Sequence, residues 1–332
     1  MIHAIAAEAV GVPIVAVASR THRRAAERAE QIGCSVVDLE ELPAGADIVI
    51  VATPPSVHAE QTIAALHGGA HVLVEKPLTS TLAEADAIVA AASTSSGRVV
   101  YAENQAFAPV VQQAMGLIAQ LGPLEYLDIR ALSPRPSWGD FLDPGWGGGC
   151  LFDLGAHPIA LALLAAGEDQ VRSVRAQLHR SADIEVDDHA IVEVLFASGL
   201  RAHLEVSWRE AGTIWDLQAS SASGVVRCEL LPTIGLEHDG EPVGVASAPE
   251  KVDDFVADLG YVAQFDHLRR LAIDPQTARQ TSDGPPMDAA FGRRVLEVIC
   301  AAYSAATTGE EPLPFSGPRD LTPHQLWNRP AD

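Results

Sequence analysis

Short apolar runs alternate with helix-period segments from the start of the chain to Gly122-Pro123, the rhythm of parallel β/α units. Val12–Ala18 is a β-rich run bounded by Gly11 and Ser19, and Arg23–Ile32 follows as a helix closed by Gly33. Asp47–Ala52 reads as a buried strand ending at Thr53-Pro54-Pro55. Val57–Leu66 is helical up to Gly68-Gly69, and His71–Val74 is the next strand. Leu82–Ala92, Arg98–Ala102 and Gln105–Leu121 predict a helix, a strand and a further helix with Pro109 near its start.

Beyond Gly122-Pro123 the period changes. Leu124–Leu132, Val171–Arg180, Ala190–Phe196, Leu200–Trp208, Ile214–Ala219 and Val225–Leu231 alternate or run apolar with short turns between them. Ser198-Gly199 has the form of a hairpin connection. These segments predict an antiparallel meander, preceded by a helix near Gly155–Ala166 and closed by helices over Val262–Ile273 and Met287–Thr307. Glu237–Lys251, rich in Gly, Pro and acidic residues, reads as an irregular excursion. The fold class expected is α/β in two domains: residues 1–122 with a parallel sheet, and residues 123–332 as an α+β domain with a mainly antiparallel open sheet.

Composition narrows the function classes. At 332 residues, 48% apolar and 20% charged, the chain can bury two cores. Its net charge of −22 repels phosphate backbones and argues against nucleic acid as a partner. No apolar run approaches the roughly 20 residues of a membrane span, and no basic-then-apolar leader opens the sequence. Cys34, Cys150, Cys228 and Cys300 lack paired or metal-ligand spacing, so neither a disulfide framework nor a metal is expected; a reducing cytoplasm suits them.

Against 20 arginines the chain has only 2 lysines, and one of them, Lys76, lies in His-Val-Leu-Val-Glu-Lys-Pro-Leu directly after a strand. An ammonium is compact and shifts its pKa when buried, whereas guanidinium does not, so Lys76 reads as a point cation, titratable if buried, facing a small polar group. Thr53-Pro54-Pro55-x-x-His58 ends the preceding strand, and ligands bind beyond the carboxyl ends of parallel strands. A third cluster is Gly147-Gly148-Gly149-Cys150-Leu151-Phe152-Asp153-Leu154-Gly155-Ala156-His157. On one helix, Asp153 and His157 at i, i+4 would share a face, with the carboxylate fixing the tautomer of an imidazole base. Blander readings stand beside these: Lys76 on a solvated loop, Asp153 as an N-cap, His157 as a satisfied helix histidine, and Trp146 as a core plug.

Together, Ala52-Thr53-Pro54 with His58, Glu75-Lys76-Pro77, and the Gly147–His157 segment resemble the glucose–fructose oxidoreductase / inositol dehydrogenase / MocA family of NAD(P)-dependent sugar oxidoreductases. The pattern around Tyr261 and Ala301–Gly309 extends the likeness to essentially the whole chain. The resemblance implies a Rossmann domain, hydride transfer to or from a sugar or cyclitol-like substrate, His157 as base oriented by Asp153, and Lys76 hydrogen-bonding the reacting oxygen. It also implies a cis Lys76–Pro77 bond and a homodimer or homotetramer built on the open sheet face.

Thr53, Pro54, His58, Glu75 and Asn104 are then expected on the cofactor side, with Glu75 at a ribose, while Trp146 and Tyr261 are expected near substrate. His58 as a helix cap and Tyr261 as helix packing are the plain alternatives. Ser19 and Arg20, with Arg24, stand where an NAD enzyme shows an acidic residue, which favours NADP over NAD. The basic residues the family carries near Ala106 and before the glycine run are replaced here. Rivals to a dehydrogenase are an NAD-dependent redox-cycling glycosidase on the same scaffold and a non-catalytic nucleotide- or sugar-binding regulator.

One part of the pattern is missing. A first strand with Gly-x-Gly-x-x-Gly does not precede Met1–Ala9, which reads as the tail of the first helix. The expectation is that the natural start lies about 15–25 residues upstream, the length of one strand, glycine turn and helix start. As it stands, strands two and four of the sheet are expected to lack their shared neighbour.

Overall fold

The computed structural model describes residues 1–42, 45–246, 252–273 and 284–329. Its first half runs α1 (Ile2–Ala9), β1 (Ala16–Val17), α2 (His22–Ile32), β2 (Ser35–Val36), β3 (Ile48–Val51), α3 (His58–His67), β4 (His71–Val74), α4 (Leu82–Thr94) and β5 (Val99–Tyr101). The parallel strands fall into two sheets that share no ladder, β1 with β2 and β3-β4-β5. β4 lies between β3 and β5 with all four residues buried, which explains why His71–Val74 reads as a continuous apolar run rather than an alternation. Thr81 and Glu84 close a capping box at the start of α4.

The helix expected over Gln105–Leu121 is instead a 3-10 turn, Asn104–Phe107, followed by α5 (Pro109–Ile118). Proline at the first helical position lacks an N–H that no intrahelical carbonyl would have received, so it starts a helix rather than sitting inside one.

The second half is one nine-stranded sheet in the order β13-β12-β11-β10-β6-β9-β8-β7-β14. Its strands are β6 (Leu124–Pro134), β7 (Val171–His179), β8 (His189–Phe196), β9 (Arg201–Ser207), β10 (Arg209–Ser221), β11 (Gly224–Leu231), β12 (Gly235–His238), β13 (Glu241–Pro242) and β14 (Glu311–Pro312). Two expectations need correction. The meander is not wholly antiparallel, because β6 and β9 pair in parallel from Tyr126–Arg201 to Leu132–Ser207. A helical crossover separates β6 from β7, and β7-β8-β9 then returns beside it. Nor is the stretch after Glu237 wholly irregular: it completes β12 and forms β13, while residues 247–251 lie outside the described part.

Helices α6 (Cys150–Asp153) and α7 (Ala156–Ala166) follow β6, and α8 (Asp254–Asp258) and α9 (Tyr261–Ile273) follow β13. The long helix Ala289–Thr308 packs against both β7 and α4, so the chain returns to its first half before it ends. Asp86 of α4 receives hydrogen bonds from Arg293 (2.9 Å) and Arg319 (3.0 Å), tying that return in place. No single described helix is long and apolar enough to cross a membrane.

Candidate active site

Parallel pairing puts the carboxyl ends of β3, β4 and β5 on one edge, and each end delivers a polar residue there. β4 delivers Glu75 and Lys76, with Lys76–Pro77 in the cis form. Lys76 Nζ reaches the carboxylate of Asp153 at 2.6 Å and its carbonyl oxygen at 3.1 Å. The two side chains are 17% and 13% exposed, so this ion pair is largely removed from water. Burial works to lower the Lys76 pKa. Asp153, by charge and hydrogen bond, with Glu75 and Glu103, outweighs it and leaves the ammonium above its ordinary value. Lys76 is therefore a fixed cation, not the titratable one considered from its sequence context.

A carboxylate two residues beyond β5, Glu103, does not stand out in the sequence. Glu103 is fully buried, and both its oxygens approach His157 Nδ1, at 2.8 and 2.9 Å. This corrects the pairing expected from i, i+4 spacing. Asp153 and His157 do not share a helix: α6 ends at Asp153, α7 begins at Ala156, and the axes on either side bend by 49°. The bend frees Asp153 to turn to the ammonium, and a carboxylate from another element takes the imidazole. The Trp215 ring lies 5.5 Å from that of His157, tilted by 37°.

The glycine run has a packing reason. A Cβ on Gly149 would stand 2.1 Å from the Asp187 carbonyl oxygen, and one on Gly148 would stand 2.5 Å from Phe152 Cβ. Asp187, fully buried, accepts from Gly149 N (3.0 Å) and Leu151 N (2.8 Å), and the Tyr303 hydroxyl donates to it. Burial pushes the Asp187 carboxyl up despite those bonds. The loop is thus clamped from β8's leading edge and from the helix Ala289–Thr308, and Asp153 is presented as α6 emerges from it.

Other expected site residues sit less simply. The Glu75 carboxylate accepts from His3 Nε2 (2.7 Å) and Lys76 N (3.0 Å), so α1 already engages the group expected at a ribose. Burial would raise its pKa, but the His3 hydrogen bond and charge, then Lys76, hold it down at about 2. Tyr261 meets His3 edge-on at 5.9 Å, and its phenol is raised by burial and by Glu75 and Glu103. Trp146 packs on Phe141 at 4.9 Å, while its indole nitrogen and that of Trp215 are buried without a partner.

His58 is a correction. It is fully buried, with Nε2 2.7 Å from the Thr53 carbonyl oxygen and Nδ1 within 3.2 Å of the Pro77 and Leu78 carbonyls. It joins the two strand-end loops and has no face left for a cofactor. Asn104 likewise spends its amide on the Leu259 carbonyl (2.7 Å), fastening the strand-end turn to α9's approach. Thr53 donates to Gln61 (2.7 Å), and Pro54 leads into the turn Pro55–Val57. At the end of β1, Ser19 Oγ accepts from Thr21 N, while Arg20 and Arg24 stand exposed. Arg24, with Arg28, Trp138 and Asp140, borders a cavity of about 690 Å³.

These residues fit a dinucleotide in part. The basic side chains after β1 suit a phosphorylated ribose, and Lys76 with His157 suits the reacting end. The Glu75 position would have to release His3 to meet a ribose.

The chain matches the family model described as oxidoreductase family, NAD-binding Rossmann fold, over residues 2–103, and the GFO/IDH/MocA C-terminal domain over residues 111–225. It is 34% identical over 311 residues to the dTDP-3,4-didehydro-2,6-dideoxy-α-D-glucose 3-reductase of Streptomyces violaceoruber, covering 88% of this chain and 87% of that one. It is 27% identical to D-xylose 1-dehydrogenase (NADP(+)) 2 of Haloferax volcanii, over 89% and 90% of the two chains. Among solved structures, GenD2 from gentamicin A biosynthesis, in complex with NAD, superposes with a TM-score of 0.81 at 25% identity, covering 94% of this chain and 92% of that one. By both domains and by its strand-end geometry, the chain belongs to the GFO/IDH/MocA oxidoreductase family, with an NAD-binding Rossmann fold.

Proposed function

We propose that this protein transfers a hydride between a nicotinamide cofactor and a carbon bearing a hydroxyl or carbonyl group in a sugar or cyclitol-like substrate. The observation that carries this reading is that two buried charged pairs, Lys76–Asp153 and Glu103–His157, form beyond the carboxyl ends of β4 and β5, with Glu103 also acting by charge on the Lys76 ammonium. A bound nicotinamide supplies the hydride chemistry. His157 takes the hydroxyl proton on oxidation and returns it on reduction. Lys76, kept cationic by Asp153, hydrogen-bonds the oxygen on which negative charge develops.

The preferred cofactor is NADP. Arg20 and Arg24 follow β1 where NAD recognition uses a carboxylate, and guanidinium suits a 2′-phosphate. The Haloferax volcanii relative, D-xylose 1-dehydrogenase (NADP(+)) 2, is named for the same cofactor. The open face of the nine-stranded sheet, with its Arg130–Asp216 and His189–Glu205 pairs, is the surface for a homodimer or homotetramer.

The test is absorbance of the reduced nicotinamide during incubation with a panel of sugars, cyclitols and their keto forms. Stoichiometric reduction of NADP is expected. No binding of either dinucleotide, measured by calorimetry, would remove the enzyme reading, and turnover without net nicotinamide change would replace it with a redox-cycling hydrolase. Arg24→Glu is expected to weaken NADP by about 10–100-fold, the worth of one charge-assisted contact, while NAD is little affected.

A further inference from the structure

We propose that Glu103, not Asp153, is the positioning residue of the proton acceptor: it holds His157 as the tautomer protonated on Nδ1 and leaves Nε2 as the only basic nitrogen. This rests on the dehydrogenase reading of the site and assigns a residue outside its expected Lys76, Asp153 and His157 set. Both carboxylate oxygens of Glu103 lie within 2.9 Å of one ring nitrogen, and an ionised carboxylate only accepts, so that nitrogen carries the proton. Glu103 has no exposed surface and the His157 side chain is 6% exposed, so water does not compete for the bond.

Glu103 is itself held. Its Oε1 accepts from Gln105 N at 3.2 Å. With the Gln264 amide turned to match its neighbours, its oxygen accepts from Glu103 N (3.3 Å) and Asn104 N (3.1 Å). Gly260 lets α9's approach pack close, since a Cβ there would stand 2.3 Å from the Asn104 carbonyl oxygen. The carboxylate is therefore fixed from two sides before any ligand arrives.

The two acids divide the labour. Asp153 is taken by Lys76 Nζ at 2.6 Å, which sets the charge of the hydrogen-bond donor. Glu103 sets the orientation and tautomer of the acceptor. The charged partner on His157 is Glu103 from the turn after β5, and β10 contributes the uncharged Trp215; Glu103 also acts by charge on Lys76, the ammonium that pairs with Asp153 of α6.

The experiment uses Glu103→Gln, which keeps shape and removes charge, with Glu103→Asp as the conservative comparison. Nitrogen-15 NMR of the ligand-free wild type is expected to show His157 protonated at Nδ1. In Glu103→Gln that preference is lost, because the amide N–H₂ can donate to the same nitrogen. For alcohol oxidation, kcat/KM of Glu103→Gln is expected to fall by about 10²–10⁴-fold. Glu103→Asp is expected to recover the tautomer and part of the rate. An unchanged tautomer in Glu103→Gln, whether stability falls or not, would overturn the proposal. Should Glu103→Gln fail to fold, wild-type spectra showing a proton on Nε2 would overturn it equally. A wild type inert toward every substrate, with the tautomer as stated, would instead count against the proposed function.

Discussion

At the scale of the residue, the site is two buried charge arrangements, and each can be broken on its own. On the proposed function, Lys76→Met removes the cation assigned to the reacting oxygen and is expected to lower kcat/KM by about 10²–10³-fold, the worth of one oxyanion donor. It also strands Asp153, whose side chain is only 13% exposed. Combining it with Asp153→Asn should recover stability, measured by thermal melting, but not turnover. Glu75 gives a pH test. Its carboxyl sits at about 2 in the folded protein against an ordinary 4.5. The folded value is the lower one, so the stabilisation is complete above about pH 4.5 and disappears as pH falls toward 2. His3→Ala should flatten the fall of the urea midpoint across that window.

At the scale of the element, the break between α6 and α7 decides which acid meets which base. The glycine loop before it admits no side chain. Gly149→Ala should cost about 3 kcal/mol or more by urea titration, because the new carbon meets backbone rather than a movable side chain. Turnover should fall further than stability alone explains, since Asp153 follows that loop directly. The strand-end residues were legible in the sequence because an apolar run of strand length followed by a polar cluster marks the ligand edge of a parallel sheet. His58 fell in the same pattern but was misplaced: a histidine able to reach three carbonyls is spent on holding loops. Glu103 carried the same strand-end signal, yet nothing local separated it from a surface carboxylate.

At the scale of the whole molecule, the helix Ala289–Thr308 joins the two halves. A Cβ on Gly292 would stand 2.8 Å from the ring of Tyr101 and 3.3 Å from Leu78, which flank the ends of β5 and the Lys76 loop. Gly292→Val is therefore expected to lower the melting temperature and also the binding of nicotinamide cofactor, whereas a change confined to stability would show that this contact does not shape the site. The sequence by itself determined the parallel half, the mainly antiparallel half and the polar clusters at the strand ends, because periodicity and punctuation are properties of neighbours along the chain. The partners of those residues were settled only in three dimensions. Asp153 with Lys76 spans 77 positions and Glu103 with His157 spans 54. A buried charge takes whichever opposite group packing brings within reach, and packing is a sum over the whole fold rather than a local pattern.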